Sequence, residues 1–76
     1  MYTIKVMSKS TSKPVEWAEV AVSDDRFFSQ GVSKSQRTDS NGEAHFDKEP
    51  HQGKVFVNGR NEHEGYLSGV VPVYVD

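Results

Sequence analysis

Apolar and polar residues alternate with a period of two along most of the chain, the mark of strands with one buried face. Tyr2, Ile4 and Val6 share one parity, and Thr3, Lys5 and Met7 the other. Ser8 to Lys13 is small and polar, a turn closed by Pro14, which fixes φ and favours an extended residue before it. A second strand is expected over Val15 to Ser23, with Ala18, Val20 and Val22 in phase. Glu16 shares their parity, so the pattern predicts a bulge near Val15–Trp17. Asp24-Asp25-Arg26 reads as a turn. The apolar pair Phe27-Phe28 after it reads first as a cap on the core and second as a protruding contact.

The strongest turn signal is placed within Gln36 to Phe46, at Asn41-Gly42, because both residues tolerate φ > 0. Asp39 and Ser40 can fold side-chain oxygens back onto the backbone. Ala44 and Phe46 then alternate with Glu43, His45 and Asp47. The stretch is therefore expected to be a hairpin at the middle of the fold. Lys48 to Gly53 reads as the next turn, Lys54 to Arg60 as a strand, and Asn61 to Gly65 as another turn. Tyr66 to Val75 supplies one or two last strands, with Pro72 confined to an edge or bulge because it cannot donate to a ladder. Nothing shows helical period. With turn signals about every ten residues, the fold class predicted is all-β, an antiparallel sandwich.

The chain has 76 residues, enough for one domain spanning 1–76. A chain this short buries only about 60% of the surface its unfolded form exposes. Hydrophobic residues make up 34%, but one Trp, three Tyr and four Phe can carry a small core. Without cysteine there is neither a disulfide nor a thiolate metal site, and the redox compartment stays open. The net charge of −2 is mixed along the chain, with no basic run for nucleic acid or an anionic membrane. No apolar run approaches a membrane span, and the opening residues read as a strand rather than a signal peptide.

Four motifs follow one another in order: Pro14-Val15-Glu16-Trp17-Ala18-Glu19-Val20-Ala21-Val22, Thr38-Asp39-Ser40-Asn41-Gly42, Gly53-Lys54-Val55-Phe56-Val57 and Gly65-Tyr66. This order resembles the carboxypeptidase regulatory-like domains of the transthyretin-like (prealbumin-like) class. The resemblance implies a Greek-key sandwich of about seven strands, used most often as a non-catalytic accessory or binding module. It also suggests extracytoplasmic use. Two positions depart from the family pattern: Trp17, where a small residue or Gly is usual, and Ala44, where a large apolar one is.

Enzymatic and covalent chemistry finds little support. Transthyretin-like hydroxyisourate hydrolases need a histidine on the first strand and a C-terminal Tyr-Arg-Gly-Ser. Here the first strand has no histidine and the chain ends Val73-Tyr74-Val75-Asp76, so a general base is missing. An isopeptide bond like that of collagen-adhesin B-type domains would start from Lys5. The position of its helper carboxyl is Gly59, however, which leaves Lys5 as a solvated strand residue. His45, His51 and His63 with Asp47, Glu62 or Glu64 hold metal-ligating types, but only His45 and Asp47 share a strand face. Asp39-Ser40-Asn41-Gly42 opens like a calcium loop and lacks the remaining ligands. No cofactor and no metal are therefore expected.

Binding remains. Trp17 lies on the opposite parity from Ala18, Val20 and Val22, and Phe56 is out of phase with Val55 and Val57. An exposed Trp or Phe invites a partner or a sugar ring, although in so small a sandwich Trp17 is more simply core. The candidate contact residues are Trp17, Phe27, Phe28, Phe56 and Tyr74. The expected role is a non-enzymatic module for protein contact or spacing; the alternative is a carbohydrate- or small-ligand-binding module. Self-association or partner pairing through an edge strand is expected near Val70 to Val75, which is uncharged and rich in β formers.

Overall fold

Among the described residues seven strands follow in sequence: β1 (Tyr2–Ser8), β2 (Glu19–Asp24), β3 (Gln36–Arg37), β4 (Glu43–Phe46), β5 (His51–Val57), β6 (Arg60–Leu67) and β7 (Gly69–Val75). They come from a computed structural model that describes residues 1–24 and 33–76. One sheet has three strands in the order β4-β1-β7, and the other has four in the order β3-β2-β5-β6. The period-two pattern decides which faces meet. Tyr2, Ile4, Val6, Ala44, Phe46, Val71, Val73 and Val75 point inward from the first sheet. Val20, Val22, Val55, Val57 and Leu67 meet them from the second. Phe46 stacks on Tyr2 with ring centroids 5.8 Å apart.

The all-β expectation holds; wholly antiparallel pairing does not. β1 and β7 run parallel, in register from Tyr2↔Gly69 to Ser8↔Val75. Parallel neighbours need a long crossover, and here everything between them supplies it, including the whole second sheet.

Four local expectations are corrected. Gln36 to Phe46 is not a paired hairpin at the centre: β3 and β4 belong to different sheets, and each is an edge strand. Val15–Trp17 is a turn rather than a bulge, and β2 starts only at Glu19. Asn61 to Gly65 is strand, because the hairpin reverses earlier, at Asn58-Gly59 with φ of 51° and 84°. Those paired positive angles make the two-residue type I′ turn that suits strand twist. β5 also begins earlier than expected, at His51, whose ring is buried and lies 2.8 Å from the Tyr2 hydroxyl.

Candidate functional site

The site starts from one buried threonine. Thr38 Oγ1 donates to the Val15 carbonyl at 2.7 Å and accepts from the Ala18 N–H at 2.8 Å. The Thr38 N–H donates to the Ala18 carbonyl, and the Trp17 N–H donates to the Thr38 carbonyl, each at 3.0 Å. Together these bonds fold 15–18 around a single side chain and leave Trp17 at the apex. Its φ is 64°, a left-handed conformation that costs a bulky L-residue about 1–2 kcal/mol. Trp17 is 69% exposed, which overturns the simpler expectation that it is core.

Arg37 steadies that apex. Its guanidinium lies 5.3 Å from the indole centroid and donates to the Trp17 carbonyl at 3.1 Å. Arg37 also pairs with Glu19 across β3 and β2, so it stands on the outer face of the four-stranded sheet. Beside it, Ser35 donates to the Glu19 carboxylate at 3.2 Å. A groove of about 280 Å³ continues along this face, lined by Glu19, Ala21, Ser33, Ser35, Phe56 and Gly59. Phe56 reaches it because it opposes Ala21 in the β2–β5 ladder and turns away from Val55 and Val57.

Of the expected contact residues, Trp17 and Phe56 thus belong to one continuous face, linked by Arg37 and Glu19. Tyr74 does not. It is 50% exposed with Val70 and Pro72 on the outer face of the other sheet. Phe27 and Phe28 lie outside the described residues. Arg37, Glu19, Ser33 and Ser35 escaped the sequence reading, because cross-strand neighbours are set by register and no spacing along the chain encodes it.

Among the described residues the β7 edge is unpaired but blunted. The Val75 carbonyl accepts from the Lys9 N–H at 2.8 Å, so residues of its parity turn their backbone toward β1. Val70, Pro72 and Tyr74 therefore turn theirs toward the open edge. The missing N–H of Pro72 falls at the middle of that row, where it interrupts any added ladder.

The histidines are dispersed. His51 is buried, with Nδ1 3.7 Å from an Asp24 oxygen. His63 lies on β6 beside Glu62 and Glu64. His45 gathers Asp39 and Glu43 rather than Asp47, their ligand atoms all within 4.8 Å of one another. The Lys5 ammonium is 3.7 Å from a Glu43 carboxylate oxygen.

Asp39 is chiefly a turn residue. Its carboxylate accepts from the N–H of Glu43 at 3.0 Å and of Asn41 at 2.9 Å. These bonds, Glu43's foremost, hold its pKa below the ordinary value. With the geometry in place, comparison adds no relative: no protein-family model, no curated protein and no solved structure matches the chain.

Proposed function

We propose that the chain is a non-enzymatic β-sandwich module that binds a protein partner through the outer face of its four-stranded sheet, with Trp17 as anchor. The carrying observation is a tryptophan 69% exposed on a backbone at φ 64°. A strained, solvated Trp costs stability, and Trp and Arg are both enriched at binding hot spots. The motif order supports a Greek-key, transthyretin-like assignment within the same proposal. That class usually carries a small residue or Gly at position 17, as a left-handed backbone favours.

Trp17→Gly tests this reading. Glycine relieves about 1–2 kcal/mol of backbone strain. Greater freedom of the unfolded chain offsets about 0.5–1 kcal/mol of that, and the lost cation–π contact a similar amount. The melting temperature is therefore expected to stay near that of the wild type, while partners captured by crosslinking to the wild-type chain are lost. A variant that retains the same partners overturns the proposal. A second reading rests on the groove beside Phe56, which is the size of a small sugar. A shift in Trp17 emission on adding monosaccharides, absent from Phe56→Ala, would favour it.

A further inference from the structure

The turn that joins the two sheets gathers a second cluster of polar side chains. Asp39 stands at its start, Glu43 opens β4, and His45 lies two residues on, with its side chain on the same face as Glu43. Thr3 and Lys5 flank them across the β1–β4 ladder, Thr3 opposite His45 and Lys5 opposite Glu43. We propose that Asp39, Glu43 and His45 form a binding site for a divalent transition-metal ion of the zinc type.

Three observations carry it. First, His45 Nε2 is 3.9 Å from Asp39 Oδ2 and 3.9 Å from Glu43 Oε1. Those separations are too long for hydrogen bonds. They do leave room for an ion about 2.0–2.2 Å from each donor after small movements of exposed side chains. Second, the other ring nitrogen is engaged from outside the trio: His45 Nδ1 lies 2.8 Å from Thr3 Oγ1. A proton on Nδ1 donated to that hydroxyl leaves the Nε2 lone pair facing two carboxylates. Two carboxylates and a ring nitrogen gathered this closely favour a further cation beside the Lys5 ammonium, and a polar partner on the far ring nitrogen is how metal-bound imidazoles are oriented. Third, Asp39 divides its labour. Oδ1 caps the turn by accepting two N–H groups, and Oδ2 is the atom turned toward His45.

The donor set chooses the ion. One imidazole with two carboxylates suits zinc, copper, nickel or cobalt; calcium needs more oxygens and magnesium an octahedron of them. The competing occupant is a proton on Nε2, which would make His45 a cation paired with both acids. Three protein donors leave open positions for water or for a ligand from outside. Asp39 and His45 are exposed, so those positions are accessible.

The test is calorimetric titration of the whole chain with zinc chloride at neutral pH, repeated with magnesium and calcium chloride. Zinc is expected to bind at one site per chain, and magnesium and calcium to give no saturation at the same concentrations. His45→Ala and Asp39→Asn should abolish zinc binding. The asparagine keeps an Oδ1 acceptor for the turn, and circular dichroism should show both variants folded. Thr3→Val, which removes only the orienting hydroxyl, should weaken binding about 10–100-fold. Long-range imidazole nitrogen spectra of the wild type should show the zinc-induced shift at His45 and not at His51 or His63. Zinc affinity unchanged in His45→Ala, a shift at His63 instead, or no saturation by millimolar zinc overturns the proposal.

Discussion

At Asn58-Gly59 the chain folds back within one sheet; at Asn41-Gly42 it passes from one sheet to the other. The dipeptide is the same and the outcome is not. At the first, both residues have positive φ, 51° and 84°, and the flanking Val57 and Arg60 pair directly. The Asn58 side chain also accepts from the Glu19 N–H at 3.0 Å, tying the turn to β2. At the second, only Gly42 is left-handed, with φ 76°. The Asp39 carbonyl accepts from the Gly42 N–H at 2.9 Å, and the Asp39 N–H donates to the Glu43 carbonyl at 2.9 Å. This is a three-residue loop, a turn followed by one left-handed glycine. Beyond it the arms separate. Thr38 is bonded to Ala18 on one side, and the Gly42 carbonyl accepts from the Val6 N–H at 2.7 Å on the other. A dipeptide thus sets how sharply the chain can turn. Which strands it joins depends on where the flanking residues find hydrogen bonds.

Alanine at the two glycines should break the comparison most visibly. A Cβ on Gly42 would lie 2.5 Å from the Val6 carbonyl oxygen and 2.9 Å from the Pro14 Cβ, while one on Gly59 would meet nothing within 4 Å. Gly42→Ala therefore adds overpacking to left-handed strain and should cost about 2–4 kcal/mol. Gly59→Ala carries the strain alone, about 1–2 kcal/mol. Equal melting temperatures for the two would show that Gly42 is not wedged between β1 and Pro14.

Thr38→Val keeps the shape of the buried side chain and removes both of its bonds. It should cost about 1–3 kcal/mol, because the Ala18 N–H loses its partner inside the protein. Chemical denaturation measures it, and a neutral result would remove Thr38 from its role in splaying the arms. The asparagines should respond in the opposite order to their neighbours' prominence in the sequence. Asn58→Ala loses a left-handed preference and the Glu19 bond, about 1–2 kcal/mol. Asn41→Ala should stay within about 0.5 kcal/mol, as exposed substitutions do.

Acid sharpens the difference further. Asp39 accepts from Glu43 and Asn41, so its folded pKa lies below the ordinary aspartate value. A depressed carboxylate contributes stability that is full above the unfolded pKa and is lost as pH falls through the folded one. Carbon-detected titration of the Asp39 carboxyl should show its midpoint below that of an unfolded peptide. Asp39→Asn should flatten the corresponding acid limb of the stability profile, with little change in how the Asn58-Gly59 turn behaves.

Local chemistry alone determined much of this protein. Alternation placed Ile4, Val6, Val20, Val22, Val55 and Val57 inside, since a strand has two faces and the hydrophobic effect selects one. Turn residues mark the stretch after β1, and Gly42 takes the positive φ that its residue type favours. Phe56 was read as out of phase, and it lines the groove. Tertiary structure decided the rest. Whether Gln36 to Phe46 was a hairpin or a bridge between sheets depended on Val6, Ala18 and Val15, which lie more than 20 residues away from parts of it. The parallel β1–β7 pair joined the two ends of the chain, a contact no local pattern encodes. Trp17 is exposed because Thr38 folds the backbone around its own side chain and leaves residue 17 at the apex. Hydrogen-bond partners distant in sequence made those choices, because a buried N–H or carbonyl must be satisfied wherever the fold brings it.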